Sequence, residues 1–167
     1  VSTPLYHSGT MMVMQPTLAE GGTLVIMPQF DPEGWMKLAE KEKPTHAFLV
    51  PTQYGVIMNH PRINDYDMAY FQVLTSTGST LMPEMKKAII ERFGNVLLEV
   101  YGNTEGLACC LDPSNMLRKV AAVGKPRHCH DFRIIGDDGQ ELPWGEPGEI
   151  VAYGATMFRG YYKKPEL

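Results

Sequence analysis

The sequence predicts an α/β fold: a layered, mostly parallel sheet flanked by helices, followed by an antiparallel β piece. Short apolar runs rich in β-formers alternate with helical patterns as far as about residue 115, which is typical of parallel strand pairing. After that point, β-rich segments are separated by Gly/Pro turns. With 167 residues, 44% of them hydrophobic, the chain is long enough for a cored unit. We therefore expect an α/β unit over 1–115 and a β-rich unit over 116–167.

The first predicted elements form a strand–helix–strand unit. Residues 23–28 (TLVIMP) are a short apolar run that favours a strand. Residues 31–43 favour a helix, because Asp31 is a good N-cap and Pro32 suits the first helical position. The strand pattern then returns over 45–51.

The same alternation continues through the rest of the α/β unit. It predicts a helix over 52–60, a strand over 71–77, a helix over 83–94 and a strand over 96–102. Pro83 marks the start of the third helix and Gly94 its C-terminal cap.

The β-rich unit is predicted from residues 131–154. Two strand-like segments there are separated by Asp138-Gly139, a strong turn signal, and by a second Gly/Pro turn over 143–149. This pattern indicates antiparallel strands and is compatible with part of a barrel.

Composition and charge favour small-molecule partners over nucleic acid. The net charge is −4, and the fifteen Lys and Arg residues form no basic run longer than a pair. The three cysteines, Cys109, Cys110 and Cys129, have no disulfide-framework spacing, which suits a reducing compartment. No apolar run reaches the roughly 20 residues of a membrane helix. We expect a cytoplasmic protein without a transmembrane segment.

Two polar loops follow predicted strands, and ligands bind beyond the carboxyl ends of strands in such sheets. The loop STGST (76–80) offers hydroxyls and a glycine but matches no phosphate-loop spacing, so an ordinary strand-to-helix loop is the stronger interpretation from the residues alone. The segment PLYHSG (4–9) lies upstream of the first predicted strand. Its His7 suits a pocket wall better than a proton shuttle.

The segment YGNTEG (101–106) carries the most chemistry. Tyr101 offers a flat face for a base, Gly102 lets backbone approach it, Thr104 can donate to a phosphate oxygen, and Glu105 can bind Mg²⁺. A helix start, capped by Thr104 with Tyr101 in the core, explains the segment equally well.

A metal cluster is considered for RHCH (127–130). In a β segment His128 and His130 would point to one side and Cys129 to the other, and no second cluster is evident, so a zinc site is disfavoured.

Six motifs in order give the sequence a specific resemblance. They are PLYHSG, STGSTLMPEM, VYGNTEG, VGKP, GEIVAYG and GYYKKPE. Together they resemble the adenylate-forming (AMP-binding) superfamily, which includes acyl-CoA synthetases, luciferase-like enzymes and peptide-synthetase adenylation domains. The resemblance covers the second α/β subdomain of the large N-terminal domain and part of its distorted β-barrel.

The resemblance implies a nucleotide site. Tyr101 matches the aromatic residue that stacks on adenine, Thr104 the hydroxyl that contacts phosphate, and Glu105 the carboxylate that binds Mg²⁺. Gly102 supports the turn. The matching adenine loop comprises Gly78, Ser79 and Thr80.

The resemblance also implies a carboxylate pocket lined by His7. Val100 stands where relatives usually have glycine, and we expect it to narrow the pocket. Peptide-synthetase domains tend to carry Phe-Asp where this chain has His7-Ser8, which argues against an amino-acid substrate.

The implied activity is that of an ATP-dependent acid-CoA ligase, with Thr104 and Glu105 catalytic and with ATP, Mg²⁺ and coenzyme A as cofactor and co-substrates. The phosphate loop, the ribose-binding aspartate and the catalytic lysine of the family have no match in this chain. We therefore expect a fragment that is inactive alone. A non-catalytic binding module, or an adenylating enzyme with another acceptor, remains the alternative. The acid, the acceptor thiol and the oligomeric state are left open.

Overall fold

The computed structural model describes residues 1–166. Its helices are α1 (Ser8–Ala19), α2 (Pro32–Glu42), α3 (Pro51–Met58), α4 (Pro83–Phe93) and α5 (Pro113–Met116), with a 3₁₀ turn at Ile63–Asp65. Its strands are β1 (His46–Leu49), β2 (Val73–Ser76), β3 (Leu97–Gly102), β4 (Ala108–Leu111), β5 (Lys125–Pro126), β6 (His130–Ile135) and β7 (Glu149–Gly154).

The larger sheet has five strands in the order β1-β2-β3-β4-β5. Strands β1, β2 and β3 are parallel, whereas β4 pairs antiparallel with β3, and β5 pairs antiparallel with β4. Ser76 pairs with both Leu49 and Glu99, so the three parallel strands end at one edge. This arrangement, flanked by helices, confirms the predicted α/β class.

The β-rich unit contains a second, two-stranded sheet. Strands β6 and β7 pair antiparallel from His130 opposite Gly154 to Ile135 opposite Glu149. The antiparallel piece is therefore confirmed, and residues 1–166 form no closed barrel.

The predicted caps explain where the central helices begin and end. The Asp31 carboxylate accepts a hydrogen bond from the Gly34 N–H at 2.5 Å, which satisfies one free donor of the first turn of α2. Helix α4 begins with Pro83 and ends at Gly94, whose φ of 83° favours glycine.

Most of the core lies between these helices and the sheet. Its fully buried members include Met36, Leu49, Tyr54, Ile57, Leu74, Ile89 and Leu97. The buried Tyr54 hydroxyl donates to the Thr75 carbonyl at 3.2 Å, and Trp35 stacks on Phe71 with ring centroids 5.8 Å apart. The core thus fixes β2 and β3 from one side.

Two parts of the structure differ from the sequence prediction. Residues 23–28 form no strand. Their backbone is hydrogen-bonded to Val1, whose amine donates to Val25 O (2.6 Å) and whose carbonyl accepts from the Met27 N–H (2.8 Å). This pairing does not extend into a ladder of strand hydrogen bonds. Helix α1 is not predicted by the sequence pattern, since it carries Pro16 inside and has almost no amphipathic stripe.

None of the helices within residues 1–166 is both long and apolar enough to cross a bilayer.

Candidate functional site

The C-terminal edge of the parallel strands gathers the loops that the sequence singled out. Val50 follows β1, the STGST loop follows β2, and Tyr101 lies at the end of β3. Gly78 adopts φ +99°, and a Cβ there would lie 3.6 Å from the Val50 side chain, so the loops after β1 and β2 are adjacent. The structure places Ser79 and Thr80 in the same loop, exposed to solvent.

Helix α1 begins at this same edge. Its Gly9 lies so close to the sheet that a Cβ would approach Phe48 Cζ to 2.9 Å and Thr77 Cγ2 to 3.3 Å. His7 is the N-cap of the helix and is exposed, with its ring 4.8 Å from that of Tyr6. The structure thus brings the PLYHSG segment beside the loop that follows β2.

Tyr101 is a surface residue of β3 and is not part of the core. Its side chain is 39% exposed, and its backbone pairs with Cys109 of β4. The alternative that placed Tyr101 in a core below a helix start is therefore wrong. The chain makes a tight turn into an antiparallel strand instead, and a Cβ at Gly102 would lie 2.4 Å from the Leu107 carbonyl oxygen.

Asn103 closes this turn. Its carbonyl accepts from the Gly106 N–H at 3.4 Å, and its side-chain oxygen accepts from the Leu107 N–H at 3.3 Å. The Asn103 side chain therefore satisfies the Leu107 N–H within the turn. In a capped helix this N–H would have a different acceptor. Thr104 and Glu105 lie at the tip of the turn.

The Glu105 carboxylate is held by two hydroxyls. Tyr161 donates to Oε1 at 2.6 Å, and Thr104 donates to Oε2 at 3.1 Å. The hydrogen bond from Tyr161, together with a backbone N–H and the Thr104 hydroxyl, holds the pKa of Glu105 below its usual value. The same contact raises the pKa of Tyr161. Glu105 is therefore an ionised, oriented carboxylate at neutral pH.

Residues of the β-rich unit also form hydrogen bonds to the turn. The Phe158 N–H donates to the Glu105 carbonyl at 2.8 Å, and the Gly106 carbonyl lies 2.7 Å from His130 Nε2 and 2.9 Å from the Thr156 hydroxyl. Sequence reasoning assigned no role to Phe158, Thr156 or Tyr161. The only signal was the GYYKKPE motif, which contains Tyr161.

His130 belongs to this packing and not to a metal cluster. Its Nε2 faces Gly106 O and the Thr156 hydroxyl, both at 2.7 Å, while Cys129 Sγ lies 3.3 Å from Nδ1. Residues 1–166 contain no group of three or more His, Cys, Asp or Glu side chains suited to a metal ion.

Strand β3 is tied to helix α4 beneath the site. The Lys86 ammonium lies 2.5 Å from Glu99 Oε2 and donates to the Ala122 carbonyl at 3.0 Å. Both charged side chains are at least 95% buried. Val100, the next residue, is also buried.

The donor set fits Mg²⁺ held together with a substrate, and it does not fit a site built from protein alone. Mg²⁺ is usually bound by one or two carboxylates plus substrate phosphates and waters. Glu105 supplies one half-buried carboxylate at a hydroxyl-rich edge, and within residues 1–166 it belongs to no group of three or more His, Cys, Asp or Glu side chains suited to a metal ion. A phosphate-bearing ligand would have to supply the remaining oxygens.

The C-terminal edge of the parallel strands displays an aromatic face, a hydroxyl and an ionised carboxylate, and ligands bind at this edge in open α/β sheets. The chain belongs to the AMP-binding enzyme family, which matches residues 1–162. It is 34% identical to a feruloyl-CoA synthase from an Amycolatopsis species, over 99% of this chain and 34% of that protein.

Two solved structures share the fold. An amide bond synthetase from Marinactinospora thermotolerans superposes with a TM-score of 0.90 at 31% identity, and covers 98% of this chain and 33% of its own. ATP-bound MatB from Rhodopseudomonas palustris superposes with a TM-score of 0.88 at 27% identity, over 99% and 33% of the two chains. The chain thus spans about a third of the length of these relatives.

Proposed function

We propose that the protein containing this chain is an ATP-dependent acid-CoA ligase that activates a fatty or aromatic carboxylate as an acyl-adenylate. The acyl group is then transferred to coenzyme A. The observation that carries the proposal is the pairing of Thr104 and Glu105 beside the exposed ring of Tyr101 at the C-terminal edge of the sheet. Family membership and the ATP-bound structural relative support it.

In this proposal the nucleotide lies along the edge between two loops. The Tyr101 ring, 39% exposed and free of aromatic neighbours in the described part of the chain, stacks on adenine. The loop of Gly78, Ser79 and Thr80 lies across from it, and the positive φ of Gly78 lets the backbone turn close to the base. Because Gly102 has no Cβ, the backbone leading into β4 can lie close to it.

Thr104 and Glu105 act on the phosphates. On nucleotide binding, the Thr104 hydroxyl would turn its one proton from Glu105 Oε2 to a phosphate oxygen, and Glu105 together with an adjacent phosphate would hold Mg²⁺. When bound, Mg²⁺ supplies the charge neutralisation that phosphoryl and nucleotidyl transfer require. The lowered pKa of Glu105 makes its carboxylate a weak proton acceptor, which suits a metal ligand better than a general base.

The reaction requires little covalent chemistry from the protein itself. A substrate carboxylate oxygen attacks the α-phosphorus of ATP, the bond to the pyrophosphate oxygen breaks, and pyrophosphate leaves as the acyl-adenylate forms. The sulfur of coenzyme A then attacks the acyl carbon and AMP leaves. The contribution of this chain is to hold the nucleotide and orient its phosphates.

His7 and Val100 are proposed to shape the carboxylate pocket. The structure brings the start of α1 beside the loop after β2, which supports a role for His7 at the same edge as the nucleotide. Val100 is buried directly before Tyr101, so its side chain fills space below the site where a glycine would leave it open.

A second candidate is an adenylating enzyme with another acceptor. The structural similarity to an amide bond synthetase favours it, because the activation half-reaction is compatible with more than one nucleophile. A non-catalytic binding module is the other alternative; the hydrogen bonds of Glu105 are compatible with both, and pyrophosphate release by the full-length protein distinguishes them.

We also propose a boundary near residue 115 between the α/β unit and the β-rich unit, and a cytoplasmic location. The separate β6–β7 sheet supports a division into two units, although β5 (Lys125–Pro126), beyond residue 115, belongs to the larger sheet. The three free cysteines are compatible with a reducing compartment.

Carboxylate-dependent pyrophosphate release tests the proposal. We expect the full-length protein, given ATP, Mg²⁺ and coenzyme A, to release pyrophosphate with at least one acid from a panel that includes ferulate and long-chain fatty acids. The control is residues 1–167 alone, from which we expect no turnover. If the full-length protein releases none with any acid, with or without an amine in place of coenzyme A, the ligase proposal fails.

A further inference from the structure

Glu105 depends on a residue far along the chain for its orientation. Tyr161 lies 56 residues from Glu105, yet its hydroxyl donates to Oε1 at 2.6 Å, the shorter of the two hydrogen bonds to this carboxylate. The other donor, Thr104, is the preceding residue and moves with the same turn. Tyr161 is therefore the contact that fixes the carboxylate relative to the rest of the molecule.

The two hydrogen bonds leave the carboxylate able to bind a cation. A carboxylate has about four lone-pair positions on its two oxygens. Tyr161 occupies one position on Oε1 and Thr104 one on Oε2. One position on each oxygen remains for a metal ion or a water that bridges to it.

Tyr161 is itself held against the backbone of Glu105. Its ring packs edge-to-face on Phe158 with centroids 4.9 Å apart, and the Phe158 N–H donates to the Glu105 carbonyl at 2.8 Å. The hydroxyl and the N–H therefore reach the same residue from one short segment, so the segment binds Glu105 at its side chain and its main chain.

The neighbouring residue of the turn is bound in the same way. The Gly106 carbonyl accepts from Thr156 at 2.9 Å and lies 2.7 Å from His130 Nε2. Four residues of the β-rich unit thus contact two consecutive residues of the turn, and the position of Tyr161 is set by the fold.

We propose that Tyr161 is a positioning residue for Glu105, which orients the carboxylate for the metal–nucleotide complex. The proposal rests on the proposed function. A ligand that is already oriented by a hydrogen bond loses less side-chain freedom when the metal arrives, and partners of this kind typically change metal affinity by about 10- to 100-fold.

The sequence offers a matched pair of variants. Tyr161→Phe removes one oxygen atom and retains the ring that packs on Phe158. Tyr162→Phe makes the same change at the next residue, which is 86% exposed and contacts the Lys163 ammonium through its ring. Comparing the two variants therefore removes any general effect of losing a phenol hydroxyl.

The experiment measures metal and nucleotide binding separately in the full-length protein. Mn²⁺ binding is followed by electron paramagnetic resonance in the presence of a non-hydrolysable ATP analogue, and binding of the same analogue is measured by calorimetry in EDTA. We expect Tyr161→Phe to weaken Mn²⁺ binding about tenfold, at the lower end for an exposed contact. Analogue binding in EDTA stays within about twofold of wild type, and Tyr162→Phe changes neither quantity.

Three results would overturn the inference. Unchanged Mn²⁺ affinity in Tyr161→Phe would show that the hydroxyl does not position Glu105. Equal weakening with and without metal would show a purely structural role. If the wild-type protein bound no Mn²⁺ with the nucleotide, both the proposed function and this inference would fail, which distinguishes that case from the first two.

Discussion

Gly106 is a residue at which the two units approach each other closely. It adopts φ +118°, and a Cβ built on it would lie 2.2 Å from the Thr156 carbonyl oxygen. Two separate constraints, the backbone conformation and the close approach of another backbone, therefore demand glycine at this position. The residue follows Glu105 directly, so any shift here displaces the carboxylate.

Replacing Gly106 should destabilise the protein more than replacing a glycine in a free turn. We expect Gly106→Ala to lower the free energy of unfolding by about 3 kcal/mol, because a strained φ and a backbone clash add. Gly139→Ala is the control: it also has a positive φ, of 76°, but open space around the new Cβ, and should cost about 1 kcal/mol. Urea unfolding measures both, and equal losses would contradict the close approach.

The sequence predicted the site residues of the 101–106 segment better than the residues of the β-rich unit that contact this segment. Tyr101, Thr104 and Glu105 are adjacent in the chain, so one motif names them together. The contacts of Glu105 with Tyr161 and of Gly106 with His130 span 56 and 24 residues and depend on how the β-rich unit packs on the turn. No spacing rule carries that information, although the motif with Tyr161 was visible.

At the scale of elements, β3 and α4 are joined by the buried pair of Lys86 and Glu99. Their charged groups lie 2.5 Å apart, with side chains 3% and 5% exposed. Glu99 precedes Val100 and Tyr101, so the pair fixes the strand that presents the aromatic ring. A buried pair contributes little net stability, but its disruption leaves a charge without a partner.

Removing one partner should therefore cost more than removing both. We expect Lys86→Met to lower the free energy of unfolding by roughly 3 kcal/mol, and Lys86→Met combined with Glu99→Leu to recover most of that loss. Lys37→Met, which breaks an exposed pair with Glu33, is the control and should cost less than about 1 kcal/mol. Denaturant titration measures all three. A double variant no more stable than the single one would refute the role of the pair.

The predictable elements are those with strong terminal signals. Helices α2 and α4 agree with the prediction because Asp31, Pro83 and Gly94 define their ends locally. Helix α1 has no such signals and contains Pro16, so its helical state depends on packing against β1 and β2. Residues 23–28 have strand composition, but a strand also requires a neighbour, and composition does not specify one.

At the scale of the molecule, we propose that the chain forms one side of a nucleotide site. The edge of the sheet presents Tyr101 and the turn with Glu105, and the β-rich unit closes over the turn through Tyr161. The chain covers about a third of the length of its relatives. The activity proposed for the whole protein therefore depends on how this side of the site packs with the rest of the protein.

Photo-crosslinking with an ATP analogue that carries an azide on adenine tests this account most directly. In the full-length protein, we expect label that unmodified ATP prevents, on the tryptic peptide of residues 93–118, which contains Tyr101, and at most a second site on 63–86, which contains the Gly78 loop. Tyr101→Leu should reduce the first label. Label that ATP prevents, but that lies on neither peptide, would contradict the assignment of this edge to the nucleotide.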